Sequence, residues 1–152
     1  MKQINNFINE KLIINKNTKI NKYHYHPKDK KELKELVDKL IEERGNEADL
    51  NDIDTSNITD ISNLFEYSDF NGNISQWDVS NVEYMDYSFF NSNFNSDISK
   101  WDVSNVEDMD FMFYNSDFNG DISDWDVSKV EHMRDMFLKS PLEKNPPKWY
   151  KE

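Results

Sequence analysis

Tryptophan recurs at 77, 101, 125 and 149, once every 24 residues, and Ile53 holds the same phase one period earlier. Counting each unit from that residue, place 2 is always Asp (Asp54, Asp78, Asp102, Asp126) and place 4 always Ser. Apolar residues return at place 3 as Val79, Val103 and Val127, at place 6 as Ile58, Val82, Val106 and Val130, and at place 9 as Ile61, Met85, Met109 and Met133. Place 13 is Phe in every unit, place 18 is Phe70, Phe94, Phe118 or Leu142, and place 22 is Ile74, Ile98 or Ile122. One such unit cannot bury its own Trp, Met and Phe. A strict period of this length therefore requires successive units to stack and share one continuous core. Units 53–76, 77–100 and 101–124 are nearly complete, and a fourth, 125–148, degenerates after Ser140 at Pro141 and Pro146-Pro147.

Within a unit the pattern predicts two elements. Ser75 to Ser80 alternates as a short strand would, with Trp77 and Val79 inward. The sets Ser80-Asn81-Val82-Glu83, Ser104-Asn105-Val106-Glu107 and Ser128-Lys129-Val130-Glu131 have the form of capping boxes. They predict a short helix with places 6, 9 and 13 on its apolar face. Asn71-Gly72 and Asn119-Gly120 then turn the chain toward the next strand.

The segments WDVSNVEYMDYSFFNSNFNSDIS (77–99) and WDVSNVEDMDFMFYNSDFNGDIS (101–123) resemble the BspA-like leucine-rich repeat family. That family is abundant in low-GC bacteria, mycoplasmas and their mobile elements, and ranges from surface adhesins to small proteins without known activity. The resemblance covers about two-thirds of the chain. With the periodicity, it implies an α/β fold: a short leucine-rich-repeat-like solenoid of strand-helix units over 50–152, closed by a C-terminal cap begun by Trp149.

Residues 1–49 are expected to form an N-terminal strand/helix cap. Lys30 to Arg44 places Leu33, Leu36, Val37, Leu40 and Ile41 on one stripe ahead of Gly45, where a helix would stop. Tyr23-His24-Tyr25-His26-Pro27 alternates like a short strand. Ile4, Phe7 and Ile8 lie at helical spacing in a segment expected to dock on the cap.

Composition excludes several functions. Leu, Ile, Val and Phe make up about 24% of the chain, above the ~20% that marks disorder. The absence of Cys excludes thiolate metal sites, disulfides and a Cys nucleophile. No run approaches a membrane span and none of the early text forms a secretion signal, so a cytoplasmic location in a bacterial or phage-infected cell is expected. The formal charge of −12 is unevenly spread: residues 50–128 carry 17 acidic groups and one basic one, Lys100. Direct binding to nucleic acid, which needs Lys and Arg, is not expected.

Catalytic constellations are absent, and neither a metal nor a cofactor is expected. His24 and His26 supply at most half of a metal site. Asp117 to Asp121 lacks the Gly and Glu placement of a calcium loop and is better explained as the repeat's turn. If Trp and Val point inward, Asp54, Asp78, Asp102 and Asp126 form an outward column, either satisfied by backbone N–H groups of the adjacent turn or offered to a basic partner. Places invariant across units serve the scaffold, which leaves the variable ones for function. Places 8, 10, 11 and 14 hold Tyr84, Asp86, Tyr87 and Phe90 in one unit and Asp108, Asp110, Phe111 and Tyr114 in the next. Aromatic rings among carboxylates suit an interface hot spot, or simply widen contacts between stacked units.

The sequence therefore leads to a non-catalytic module that binds a protein partner with a basic surface. One alternative is an acidic inhibitor, encoded by a phage or mobile element, that mimics nucleic acid and blocks an enzyme such as a CRISPR effector nuclease. A second is an adhesin-type fragment.

Overall fold

A computed structural model describes residues 22–151; the expected docking of Ile4, Phe7 and Ile8 lies outside the described residues. Helix α1, Lys30–Arg44, forms where the apolar stripe places it. Asp29 caps its start, accepting the Glu32 N–H at 2.9 Å, and Gly45, at φ 90°, ends it with its N–H donated to the Ile41 carbonyl. Leu33, Val37 and Leu40 are fully buried and join the core of the repeats. No helix among the described residues is long and apolar enough to cross a membrane.

The strand-helix units do not form, so the molecule is not the α/β solenoid that the sequence suggested. Apart from α1, the described residues hold only a single 3-10 turn at Pro141–Glu143. In place of strands there are isolated parallel bridges, Tyr25 to Ile53, Asp49 to Asn73, and Asp60 to Tyr84 to Asp108 to His132. The expected N-terminal strand is reduced to the first of these. The expected strand at 75–80 is two successive turns, closed by Trp77 N–H to the Ile74 carbonyl (3.1 Å) and Val82 N–H to the Val79 carbonyl (2.9 Å).

Each unit is instead an irregular coil stacked in register on its neighbours. From place 9 onward, alternate amides divide their bonds. Met85, Tyr87, Phe89 and Asn91 donate to the carbonyls of Asp108, Asp110, Met112 and Tyr114 in the next coil, each at 2.9 Å. Between them, Ser88 and Phe90 donate three residues back, to Met85 and Tyr87, closing β-turns. The same division recurs one coil earlier, from Ile61, and one coil later, from Met109.

Left-handed residues make this alternation possible and break the expected helix. Places 11 and 15 have positive φ in all four coils: Asn63 and Tyr67, Tyr87 and Asn91, Phe111 and Asn115, Asp135 and Lys139. A helix tolerates no such residue every fourth position. The capping boxes fail for a related reason. The Glu83 and Glu107 N–H groups donate at 2.8 Å to the Thr59 and Glu83 carbonyls of the coil before. Ser80 and Ser104 meanwhile donate to Asp78 and Asp102 rather than capping anything.

The core is a set of aromatic columns. Phe65, Phe89, Phe113 and Phe137 stack face to face with centroids 5.4, 5.4 and 5.9 Å apart. Beside them run Phe70, Phe94 and Phe118 at 6.3 and 6.2 Å. Each Trp indole N–H reaches back 27 residues to a carbonyl, one period and three residues earlier, Trp77 to Leu50 and Trp101 to Ile74, both at 3.0 Å. Trp149 is not a terminal strand; its ring stacks on Trp125 at 6.4 Å.

Candidate functional site

The left-handed places set the side chains of places 11 and 14 side by side on the outside of the coils. Four residues singled out from sequence, Tyr87, Phe90, Phe111 and Tyr114, thereby meet in one cluster. Tyr87 stacks on Phe111 and Phe90 on Tyr114, both pairs with centroids 5.0 Å apart. Tyr87 tilts against Phe90 at 5.3 Å, and Phe111 meets Tyr114 edge-on at 5.9 Å. All four rings are only half-buried. Tyr67 extends the row, edge-on to Phe90 at 5.6 Å and 70% exposed. Sequence reasoning missed Tyr67 because it sits at place 15, filled by Asn91, Asn115 and Lys139 in the other coils; an aromatic at a place otherwise polar was the available signal. Two cations close the other end, the Arg134 guanidinium 4.9 Å from the Phe111 ring centre and the Lys139 amine 5.3 Å from that of Tyr114.

Carboxylates line this row. Asp110 accepts the Arg134 N–H at 2.7 Å and pairs with its guanidinium at 3.5 Å, while Asp108 accepts the Asp110 N–H at 2.9 Å. Burial, followed by the charges of Asp108 and Asp60, pushes the Asp86 carboxyl above its ordinary range. Tyr84, 42% exposed, occupies the bridge register between Asp60 and Asp108.

Asp78, Asp102 and Asp126 are exposed, as expected, but the bonds that hold them are not those expected. Each accepts the N–H of the Ser two residues on within its own coil, at 3.0, 3.1 and 3.0 Å. This Asx turn needs no adjacent coil. Hydrogen bonds from Ser104 and Ser128, their hydroxyls foremost, hold Asp102 and Asp126 below the usual carboxylate range. Among the described residues no hydrogen bond or ion pair joins this column to Asp86, Asp108 or Asp110. The sequence-selected residues thus fall into two separate sets.

His24 and His26 are each held by a carboxylate at or just before the start of the first coil. His24 lies 3.1 Å from Asp52, which Arg44 also holds at 3.0 Å, and His26 lies 3.2 Å from Asp54. Among the described residues no group of three or more His, Cys, Asp or Glu is arranged to hold a metal ion.

No curated protein and no solved structure matches the chain. Residues 31–149 match the model of a family described as "Mycoplasma protein of unknown function", DUF285, consistent with the BspA-like resemblance of the repeats. The chain therefore belongs to the DUF285 family.

Proposed function

We propose that this protein is a non-catalytic binding module that presents the aromatic row and its carboxylates to a protein partner with a basic surface. The supporting observation is the row itself. Five rings from three coils lie against one another yet stay partly open to solvent, with Asp86 and Asp110 in the same coils. Half-exposed aromatics clustered beside carboxylates suit contact with a partner's apolar and cationic side chains. The carboxylates alongside favour basic groups during encounter.

The test is affinity capture of host proteins by the wild-type chain, by Tyr87→Ala with Phe111→Ala, and by Asp78→Asn with Asp102→Asn. Capture lost only with the aromatic pair supports the proposal. Capture lost only with the Asp pair, steeply weakened by salt and competed by DNA or RNA, replaces it with the nucleic-acid mimic. That second reading draws on the exposed Asp column, in which Asp102 and Asp126 are held below the usual carboxylate range.

A further inference from the structure

Over places 9 to 13 the coil-to-coil ladder runs forward, whereas place 7 donates to the coil before. At places 9, 11 and 13 of the first three coils each N–H donates to the coil that follows. At the C-terminal end of the stack this leaves a row of donors: among the described residues, the N–H groups of Met133, Asp135 and Phe137 have no acceptor. The next donor of the row, Lys139 N–H, is taken by the Glu143 carboxylate at 3.0 Å, an anionic oxygen standing where a following coil's carbonyl would be. The apolar side of the same end is covered only in part, by Trp149 on Trp125 and Tyr150 on Phe137. Val127, Val130 and Met133 are partly exposed, whereas Val103, Val106 and Met109 at the same places are at most 1% exposed.

Beside Glu131 and Asp135, this edge carries cations at places where the earlier coils have none. Places 8, 10 and 15 hold His132, Arg134 and Lys139 in the last coil, where the earlier coils carry only Asp, Ser, Asn or Tyr. Those cations already pair inward with an acidic, aromatic segment, Arg134 with Asp110 and Phe111, and Lys139 with Tyr114.

We propose that this edge docks an extended acidic peptide of a partner protein, running parallel to residues 131–139 and continuing the ladder. Its alternate carbonyls accept from Met133, Asp135 and Phe137, its apolar residues cover Met133 and Val130, and its carboxylates meet His132 and Arg134. This is strand addition to an open edge whose donors at places 9, 11 and 13 are unmet. A second copy does not serve as the occupant. Two such ends face to face would set donors against donors, and the opposite end of the stack lies beneath α1, whose Lys30 reaches Asp60.

The probe is a synthetic peptide of residues 104–116, SNVEDMDFMFYNS, which already occupies the equivalent position on the inner side of the last coil. It is titrated into the full chain while amide hydrogen exchange is followed by NMR, with a scrambled peptide as control. With free peptide at about ten times its Kd, exchange at Met133 and Asp135 is expected to slow about tenfold. Arg134→Glu should weaken binding about threefold or more, with the Met85 and Met109 amides unchanged as evidence of an intact fold. Absence of binding, binding without protection of those two amides, or equal protection by the scrambled peptide overturns the proposal. So does protection that appears without peptide and rises with protein concentration, which assigns the edge to a second copy.

Discussion

Replacing Tyr87 by Asn separates a binding role of the outer aromatics from a packing role. Tyr87 sits at φ 56°, a left-handed conformation that Asn63 adopts at the same place of the first coil. Relief of that conformation returns about 1 kcal/mol. Against it stand the stack on Phe111 at 5.0 Å and the tilted contact with Phe90 at 5.3 Å, together worth about 1–2 kcal/mol. The net expected loss is below about 1 kcal/mol. Two places along the same coil, Phe89 is fully buried between Phe65 and Phe113, each 5.4 Å away. Phe89→Ala should therefore cost about 3–5 kcal/mol. Urea unfolding followed by Trp fluorescence measures both. Should Tyr87→Asn cost as much as Phe89→Ala, the outer rings belong to the core and the site loses its foundation. The half-exposed ring would then have been kept for cohesion, not for a partner.

Further outcomes follow from the same geometry. Asp86, its folded pKa raised above the ordinary 3.8, contributes a penalty that is absent in acid and grows as pH rises through the folded value. Asp86→Asn should thus raise the urea midpoint at neutral pH, with the two proteins converging toward about pH 4. Asp102→Asn should lose only the charge-assisted part of the Ser104 bonds at neutral pH, because Asn73 already accepts a Ser75 N–H in this way at 3.0 Å, whereas Asp102→Ala should lower the melting temperature further. The lowered pKa values of Asp54 and Asp102 add stability that is full above 3.8 and lost as pH falls through their folded values, visible in an acid titration. Gly72→Ala should destabilise by about 1–3 kcal/mol, since its Cβ would lie 2.1 Å from the Ala48 carbonyl oxygen. Gly120→Ser should be milder in the same thermal melt, as its added atom meets only the Phe118 ring and Ser96 fills that place in another coil.

The register of the stack was legible in the sequence because burial repeats with the period. Trp77, Trp101 and Trp125, the Phe column at place 13 and the stripe of α1 are buried or packed as their spacing requires. The local structure was not legible from apolar spacing, because places 6, 9 and 13 satisfy a helical face and a chain of turns equally well. What decided it was written in polar residues: Asn63, Asn91 and Asn115 mark the left-handed places, and the recurring Asp-x-Ser marks Asx turns that outcompete a capping box for the Ser. At the site, the aromatics of places 11 and 14 were found by their variation between units. Their meeting in one row depended on backbone geometry that no helical projection contains, and Asp78, Asp102 and Asp126 fell elsewhere for the same reason.

The indole of each Trp bonds a carbonyl 27 residues earlier, and each ladder amide a carbonyl 23 residues later. Every unit is thus fastened to the units near it by the same joints, at the same offsets along the chain. In-frame gain or loss of 24 residues renews those joints without redesigning a single one. Length is for that reason a free variable of this architecture. The reach of the outer aromatic row can be lengthened or shortened by whole units, while α1 at one end and Trp149 at the other stay as they are.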